Sequence, residues 1–333
     1  MWFEELMGFI ENNPKSVRNN IKLKDNKLIS KINHKEYIYG YLELPSLQEL
    51  RNRVDFLDNY KSKITLSEVV EDIQELHCNK NNNGAFFQVA SQFNLLEMAS
   101  PDVSPVEGVG IYEYDYTQGP ACAIACGAGT IYRNYFINID GRIGQDSTHQ
   151  IDCLKDIGEE LGNNNNYLWE MSNGYVIANK DGLNKISDII KSKSDNEYEQ
   201  LKGKLRIGLQ LNTEVTVNKS KNIVTQAYCS ALPIAYSDIK KEVWETFARL
   251  ILEATYEATF YSALLNYEKT KNSKVYLTLI GGGVFGNNKD WIFDAIKKSL
   301  NKFLKTPLEI KIVSYKSSDI EVKRFINSLI NII

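Results

Sequence analysis

Apolar positions recur with a helical period over the C-terminal third of the chain, and that period switches twice to a strand-like run. Between residues 237 and 265 they fall on one helix face (Val243, Phe247, Leu250, Ile251, Ala254, Ala258, Tyr261, Leu265), with Ser237 in the N-cap position. The run 275–280 is rich in β-formers and opens directly onto glycine at 281, 282, 283 and 286. Helical spacing resumes near Asp290 with Trp291, Ile292, Ala295, Ile296 and Leu300. Residues 308–315 then read as a strand, and a last helix comes after it. This alternation predicts an α/β fold, a layered sheet with helices on both faces.

Upstream, short strands and helices alternate from Ile64. Residues 84–89 read as a strand, 101–110 as a loop, and 132–139 and 167–178 as strands around a polar segment. Residues 205–217 and 223–231 alternate like a hairpin. Residues 1–60 read as a mostly helical N-terminal extension. It opens on a helical pattern (Trp2, Phe3, Leu6, Phe9, Ile10) and passes through a strand-like stretch in which Tyr37, Tyr39 and Tyr41 alternate. It closes on a helix capped by Ser46 and running through Leu47, Leu50, Val54 and Leu57. A boundary near Tyr60 leaves 61–333 as the main domain.

Composition narrows the function classes. A 333-residue chain with 43% hydrophobic and 24% charged residues is ordinary for a globular protein with a sizeable core. A net charge of −3 argues against binding nucleic acid by neutralising phosphates. The 5 cysteines are odd in number and scattered, which suits free thiols in a cytoplasmic setting. Neither a signal peptide nor an apolar run of membrane-spanning length stands out, and export into a host cell is not readable from the residues. His34, His77 and His149 lack metal-ligand spacing, and Cys122 with Cys126 reads as a packing pair. No metal or redox cofactor is expected.

The glycine run carries the candidate chemistry. A strand that opens through glycines onto a helix N-terminus directs backbone N–H groups at an anion and lets a phosphate come close. Gly281, Gly283 and Gly286 fit the dinucleotide spacing, with Glu309 at about the right remove. Too few strand–helix units come after them for a Rossmann fold. A P-loop is excluded because Asn287 and Asn288 stand where Lys and Ser or Thr belong. A glycine loop on a late strand of an α/β domain remains.

Gly283-Val284-Phe285-Gly286 resembles the G-[IV]-[YF]-G loop of macrodomains, the fold that binds ADP-ribose. Val69-Val70-Glu71-Asp72-Ile73 is similar to their Gly-Asp-Ile motif, with Glu71 where glycine is usual. Residues 84–94 resemble their strand ending in Ala-Asn, and 226–233 the strand before the long helix. The strings FQVASQFN, TQGPACA, AGTIYRNYF, CSALP and LTLIGGGVFGN resemble a divergent branch found in bacterial effectors and many eukaryotes. The resemblance covers about 64–333 and implies a three-layer mixed sheet and removal of ADP-ribose from arginine side chains.

Site roles come from that resemblance. Gly281, Gly282, Gly283, Val284, Gly286 and Asn287 would cradle the diphosphate, and Phe285 would pack on a ribose unless it is simply a core residue. Asp72, with Ile73 beside it, would meet the adenine amine. Asn94 would meet the distal ribose, Gln92 would also contact ADP-ribose, and Gln118 and Gly119 would form a second loop around the ribose. Cleavage through an oxocarbenium-like state wants a carboxylate at the reacting carbon and a second to hold the cationic arginine. Glu107, Glu113 and Asp115 are the candidates, with Asp115 at the catalytic contact and Glu107 or Glu113 on the guanidinium. In an extended segment Glu113 and Asp115 share a face. The expected partners are ADP-ribose and an ADP-ribosylated protein. The competing reading is a reader that binds ADP-ribose without cleaving it and is indifferent to loss of Asp115. A degraded interaction scaffold is a third.

Overall fold

The computed structural model describes residues 1–54, 57 and 60–329. Its centre is a seven-stranded mixed sheet, with strands numbered in chain order: β1 (Tyr41–Glu43), β2 (Thr65–Val70), β3 (Phe86–Ala90), β4 (Gly208–Glu214), β5 (Ile223–Cys229), β6 (Lys274–Leu277) and β7 (Glu309–Ser314). The spatial order is β1-β4-β5-β3-β6-β7-β2. From β5 to β2 the strands are parallel, while β4 runs against β5 and β1 against β4. The expected hairpin is β4–β5, with a register shift between Gln210 and Thr213.

Seven helices bear on the sheet or on the site at its strand ends: α1 (Trp2–Met7), α2 (Ile73–Cys78), α3 (Gln118–Ala125), α4 (Gly127–Tyr135), α5 (Lys241–Thr270), α6 (Lys289–Lys302) and α7 (Ile320–Leu329). Two neighbouring residues of β3 show the layering. Phe87 stacks on His77 of α2 with 3.7 Å between ring centroids, and Gln88 donates to Thr259 of α5 at 2.8 Å. Successive strand residues face opposite sides, so α2 and α5 cover opposite faces of the sheet. The central strand β3 is buried on both sides, which its run Phe86, Phe87, Gln88, Val89 reflects. Helices on both faces of a mixed sheet are the predicted architecture. No helix among the described residues is long and apolar enough to cross a membrane.

Several local expectations are corrected. The long helix starts at Lys241, not after Ser237, because 234–236 form a 3-10 turn and the Ser237 hydroxyl donates back to Ile234 O. Of residues 132–139 only 138–139 form a strand, paired with 142–143, while 132–135 are the end of α4: Ala128, Ile131 and Tyr135 share a helical face, and the short apolar run fits either period. Ser46 does cap its helix, in a box with Glu49, but the helix ends at Arg53. Its expected course to Leu57 crosses 55 and 56, which lie outside the described residues, as do residues 330–333. The extension is mixed, not mostly helical. Beside its helices stands a three-stranded antiparallel sheet, Ile21–Lys24, Lys27–Ser30 and Glu36–Ile38, and β1 completes an edge of the main sheet.

Candidate active site

The five parallel strands end on one side of the sheet, where ligands of open α/β folds bind. Three adjoining cavities open there, of about 230, 550 and 510 Å³. The first lies between the ends of β3 and β6, the second over the start of α2 and α3, and the third between the glycine loop and the turn before α7. Thr278, just past β6, lines all three. They form one crevice.

The glycine loop is its floor, and neighbours fix both ends of it. The Tyr256 hydroxyl, from α5, donates to Thr278 O at 2.7 Å and accepts the Ile280 N–H at 2.9 Å. Gly281 has φ +72°, and a Cβ there would lie 2.5 Å from Ala231 Cβ. Gly286 also has φ +72° and would meet Ala235 Cβ at 2.9 Å. Buried Asn287 closes the loop, donating its N–H to Gly281 O at 2.9 Å and its amide to Leu232 O at 2.8 Å. Gly281, Gly286 and Asn287 therefore shape the loop. Gly283, Val284 and Phe285 face the first cavity, while Gly282 faces the third.

The start of α3 makes the opposite wall. The Gln118 amide accepts the Ala90 N–H at 2.9 Å and donates to Gln88 O at 2.8 Å, which extends the hydrogen bonding of β3 sideways. Gly119 lies so close to this strand end that a Cβ would come within 2.0 Å of Ala90 O and 2.3 Å of Glu97 Oε2. Asp115 lines the first and second cavities and accepts the Thr117 N–H at 2.9 Å. Glu113 lines the second and accepts the backbone N–H of Trp2 at 3.1 Å. These two carboxylates do not share a strand face as expected, because 110–114 form a 3-10 turn. The turn nonetheless brings both to the crevice. Glu107 is exposed and lines none of the three cavities.

Sequence reasoning missed Glu97. This residue lines the first cavity at only 5% exposure, and its Oε1 has no hydrogen-bond partner among the described residues. Its backbone N–H donates to the Tyr112 hydroxyl at 3.0 Å. Burial pushes its pKa well above the ordinary carboxylate range; the Arg133 guanidinium opposes that shift and Asp115 adds to it. Arg133 is itself fully buried, donating to Leu95 O, Gln210 and Thr130 and lying 3.5 Å from the Tyr228 ring centre. The available signal was a lone acid among Leu95, Leu96 and Met98, all of them buried.

Asn94 is fully buried and lines none of the cavities. It donates to Gln150 and accepts the Leu96 N–H, so it supports the Glu97 segment from behind. Gln92 does line the first cavity, but its amide oxygen accepts the Met98 N–H at 2.8 Å. Asp72 and Ile73 line the second cavity, where one Asp72 oxygen caps α2 through the N–H groups of Gln74 and Glu75. His77 is a core residue: it stacks on Phe87, and burial lowers its pKa to about 4.

Among the described residues, Glu71, Asp72, Glu97, Glu113, Asp115 and Asp319 line the crevice, and no lysine, arginine or histidine does. Nor do the described residues contain a group of His, Cys, Asp and Glu side chains that could hold a metal ion.

No protein-family model and no curated protein matches the chain. Among solved structures, poly(ADP-ribose) glycohydrolase from Thermomonospora curvata is similar at 8% identity and a TM-score of 0.43, covering 93% of each chain. The same enzyme bound to the inhibitor ADP-HPD gives 9% identity, a TM-score of 0.44 and 93% of each chain. Likeness this remote does not carry an activity across.

Proposed function

We propose that this protein hydrolyses the N-glycosidic bond joining ADP-ribose to an arginine side chain. The observation that carries the reading is the charge of the crevice. Six acidic side chains and no cation line it among the described residues; Asp319 is paired with Lys289 from outside the lining, and another of the six, Glu97, is buried with an oxygen unpaired. A diphosphate in such a site has only backbone N–H groups to hold it. A glycine loop and the first turn of α3, where a helix leaves N–H groups unbonded, supply them.

In this reading Gly283, Val284 and the start of α3 hold the diphosphate, the Gly282 N–H being spent on Leu279 O at 2.9 Å, and Phe285 packs on the distal ribose. Asp72 and Ile73 meet the adenine in the second cavity. The ribose C1 and its attached guanidinium then come between Glu97 and Asp115. Water attacks C1 as the C1–N bond breaks, and the bond's electron pair leaves with the guanidine nitrogen. The proton lost by the water ends on that nitrogen, so the arginine departs as a guanidinium. Asp115, at the junction of two cavities, activates the water, and Glu97 faces the positive charge that develops at C1.

The test is release of free ADP-ribose from one protein modified on arginine and another modified on glutamate. The expected result is release from the arginine substrate alone, lost in Glu97→Gln and sharply reduced in Asp115→Asn while both variants still bind ADP-ribose. Binding without release from either substrate would leave a reader and sink the hydrolase.

A further inference from the structure

Three aromatic rings stand together on one wall of the first cavity. Tyr175 lies 5.2 Å from Tyr236 and 5.4 Å from Phe285 between ring centres, and Tyr236 lies 5.7 Å from Phe285. They come from a hairpin, from the turn after β5 and from the glycine loop, so the fold gathers them from three separate places. All three line the same cavity as Glu97. Tyr175 is anchored by donating its hydroxyl to Met98 O at 2.6 Å, one residue from Glu97, while Tyr236 stands at the mouth with 36% of its surface exposed.

A carboxylate as buried as Glu97, with one oxygen unpaired, calls for a partner. Burial alone favours its protonated form, and the diphosphate of ADP-ribose brings only further negative charge, so a bound cation is the partner that would hold Glu97 as a carboxylate. Aromatic rings that line one cavity with a buried carboxyl group, and with no cation among the lining residues, are the surroundings a cation selects. A guanidinium suits them better than an ammonium, because it is planar, stacks on rings and is weakly hydrated, and it meets a carboxylate through two parallel N–H groups.

We propose that Tyr175, Tyr236 and Phe285 form, with Glu97, an aromatic and carboxylate box that binds an alkylguanidinium, with Tyr236 as the residue that selects it. This rests on the hydrolase reading above only for its biological meaning, since the box is a binding site whether or not a bond is cleaved. It places the specificity for arginine in rings from three parts of the chain, in addition to the acidic residues. It also predicts that the departing arginine is a product that binds the site by itself.

The probe is agmatine, an alkylguanidinium with an ammonium at its other end, measured by calorimetry against the full chain, with putrescine, the diammonium of the same chain length and charge, as the control and free ADP-ribose as a separate titrant. The wild type is expected to bind agmatine more tightly than putrescine. Tyr236→Leu should weaken agmatine about tenfold, a change between those of an exposed and a desolvated cation–π contact, and weaken it more than it weakens ADP-ribose. Tyr236→Phe, which keeps the ring, should restore the affinity. Circular dichroism of each variant guards against a folding loss, and Tyr236 at the cavity mouth leaves room for the change. No agmatine binding by the wild type, equal binding of putrescine, or an affinity unmoved in Tyr236→Leu would each overturn the box. Agmatine binding with the expected Tyr236 dependence, but no ADP-ribose release from arginine-modified protein, would uphold the box and reject the hydrolase.

Discussion

A carboxylic acid taken out of water favours its protonated form, and Glu97 is an acid in that position beside a buried guanidinium that pulls the other way. Its folded pKa lies above its unfolded value. Its contribution to stability is therefore fully present below the ordinary pKa of 4.5 and is lost as pH rises through the folded value. At neutral pH the wild type carries that loss, and Glu97→Gln, which cannot ionise, should melt at a higher temperature. The same variant should lose ADP-ribose release by a factor on the order of 10³, as for a group placed against the charge that develops in the transition state. Thermal melting and a release assay on one preparation check both halves; a variant that is less stable and still active would contradict the assigned role. Glu97 was not legible in the sequence. Glu107, Glu113 and Asp115 stood out as a cluster of acids, whereas Glu97 sits singly among apolar neighbours, and its burial arises only where the start of α3 closes over it at Gly119.

Among the elements, the glycine loop was the most legible, because glycine density is a local signal with a local cause. The individual glycines still differ in what they do. At Gly281 the backbone is in the left-handed region, and a Cβ would sit 2.5 Å from Ala231 Cβ and 2.6 Å from Asn287 Nδ2. Gly281→Ala should therefore destabilise the protein by about 2 kcal/mol or more, the left-handed conformation alone costing an L-residue roughly 1–2 kcal/mol. At Gly283 a Cβ would meet nothing within 4 Å, and the residue faces the crevice. Gly283→Ala should fold with wild-type stability and weaken ADP-ribose, because the added methyl stands where a phosphate approaches the backbone. Chemical denaturation separates the two variants, and ADP-ribose titration of Gly283→Ala tests the second effect. Equal stability losses would mean that the loop is only a turn. The 3-10 turn at 110–114 shows the opposite case: period-two reasoning placed Glu113 and Asp115 on one face, and the chain brought both to the crevice by another geometry.

Across the molecule, the core that supports the crevice carries its own pH dependence. His77 is fully buried between α2 and the sheet, its Nδ1 is 2.7 Å from Ile73 O, and burial lowers its pKa from 6.5 to about 4. A histidine with a depressed folded pKa contributes stability that is present above its unfolded pKa and is lost as pH falls from about 6.5 toward 4. Folding should be about 2 kcal/mol weaker at pH 5 than at pH 7 on this account. Urea denaturation at the two pH values, repeated with His77→Gln, isolates the effect; an equal drop in the variant would assign it elsewhere. Short-range chemistry was readable directly from the residues: the alternation of helices and strands around the sheet, the β4–β5 hairpin, the Ser46 cap and the glycine loop. Packing between distant segments settled which polar side chains reach the crevice, why Asn94 faces away from it while Glu97 lines it, and how three distant aromatic rings meet. Burial, and the cost of an unpaired charge that comes with it, depends on which segments pack together, and adjacent residues do not encode that.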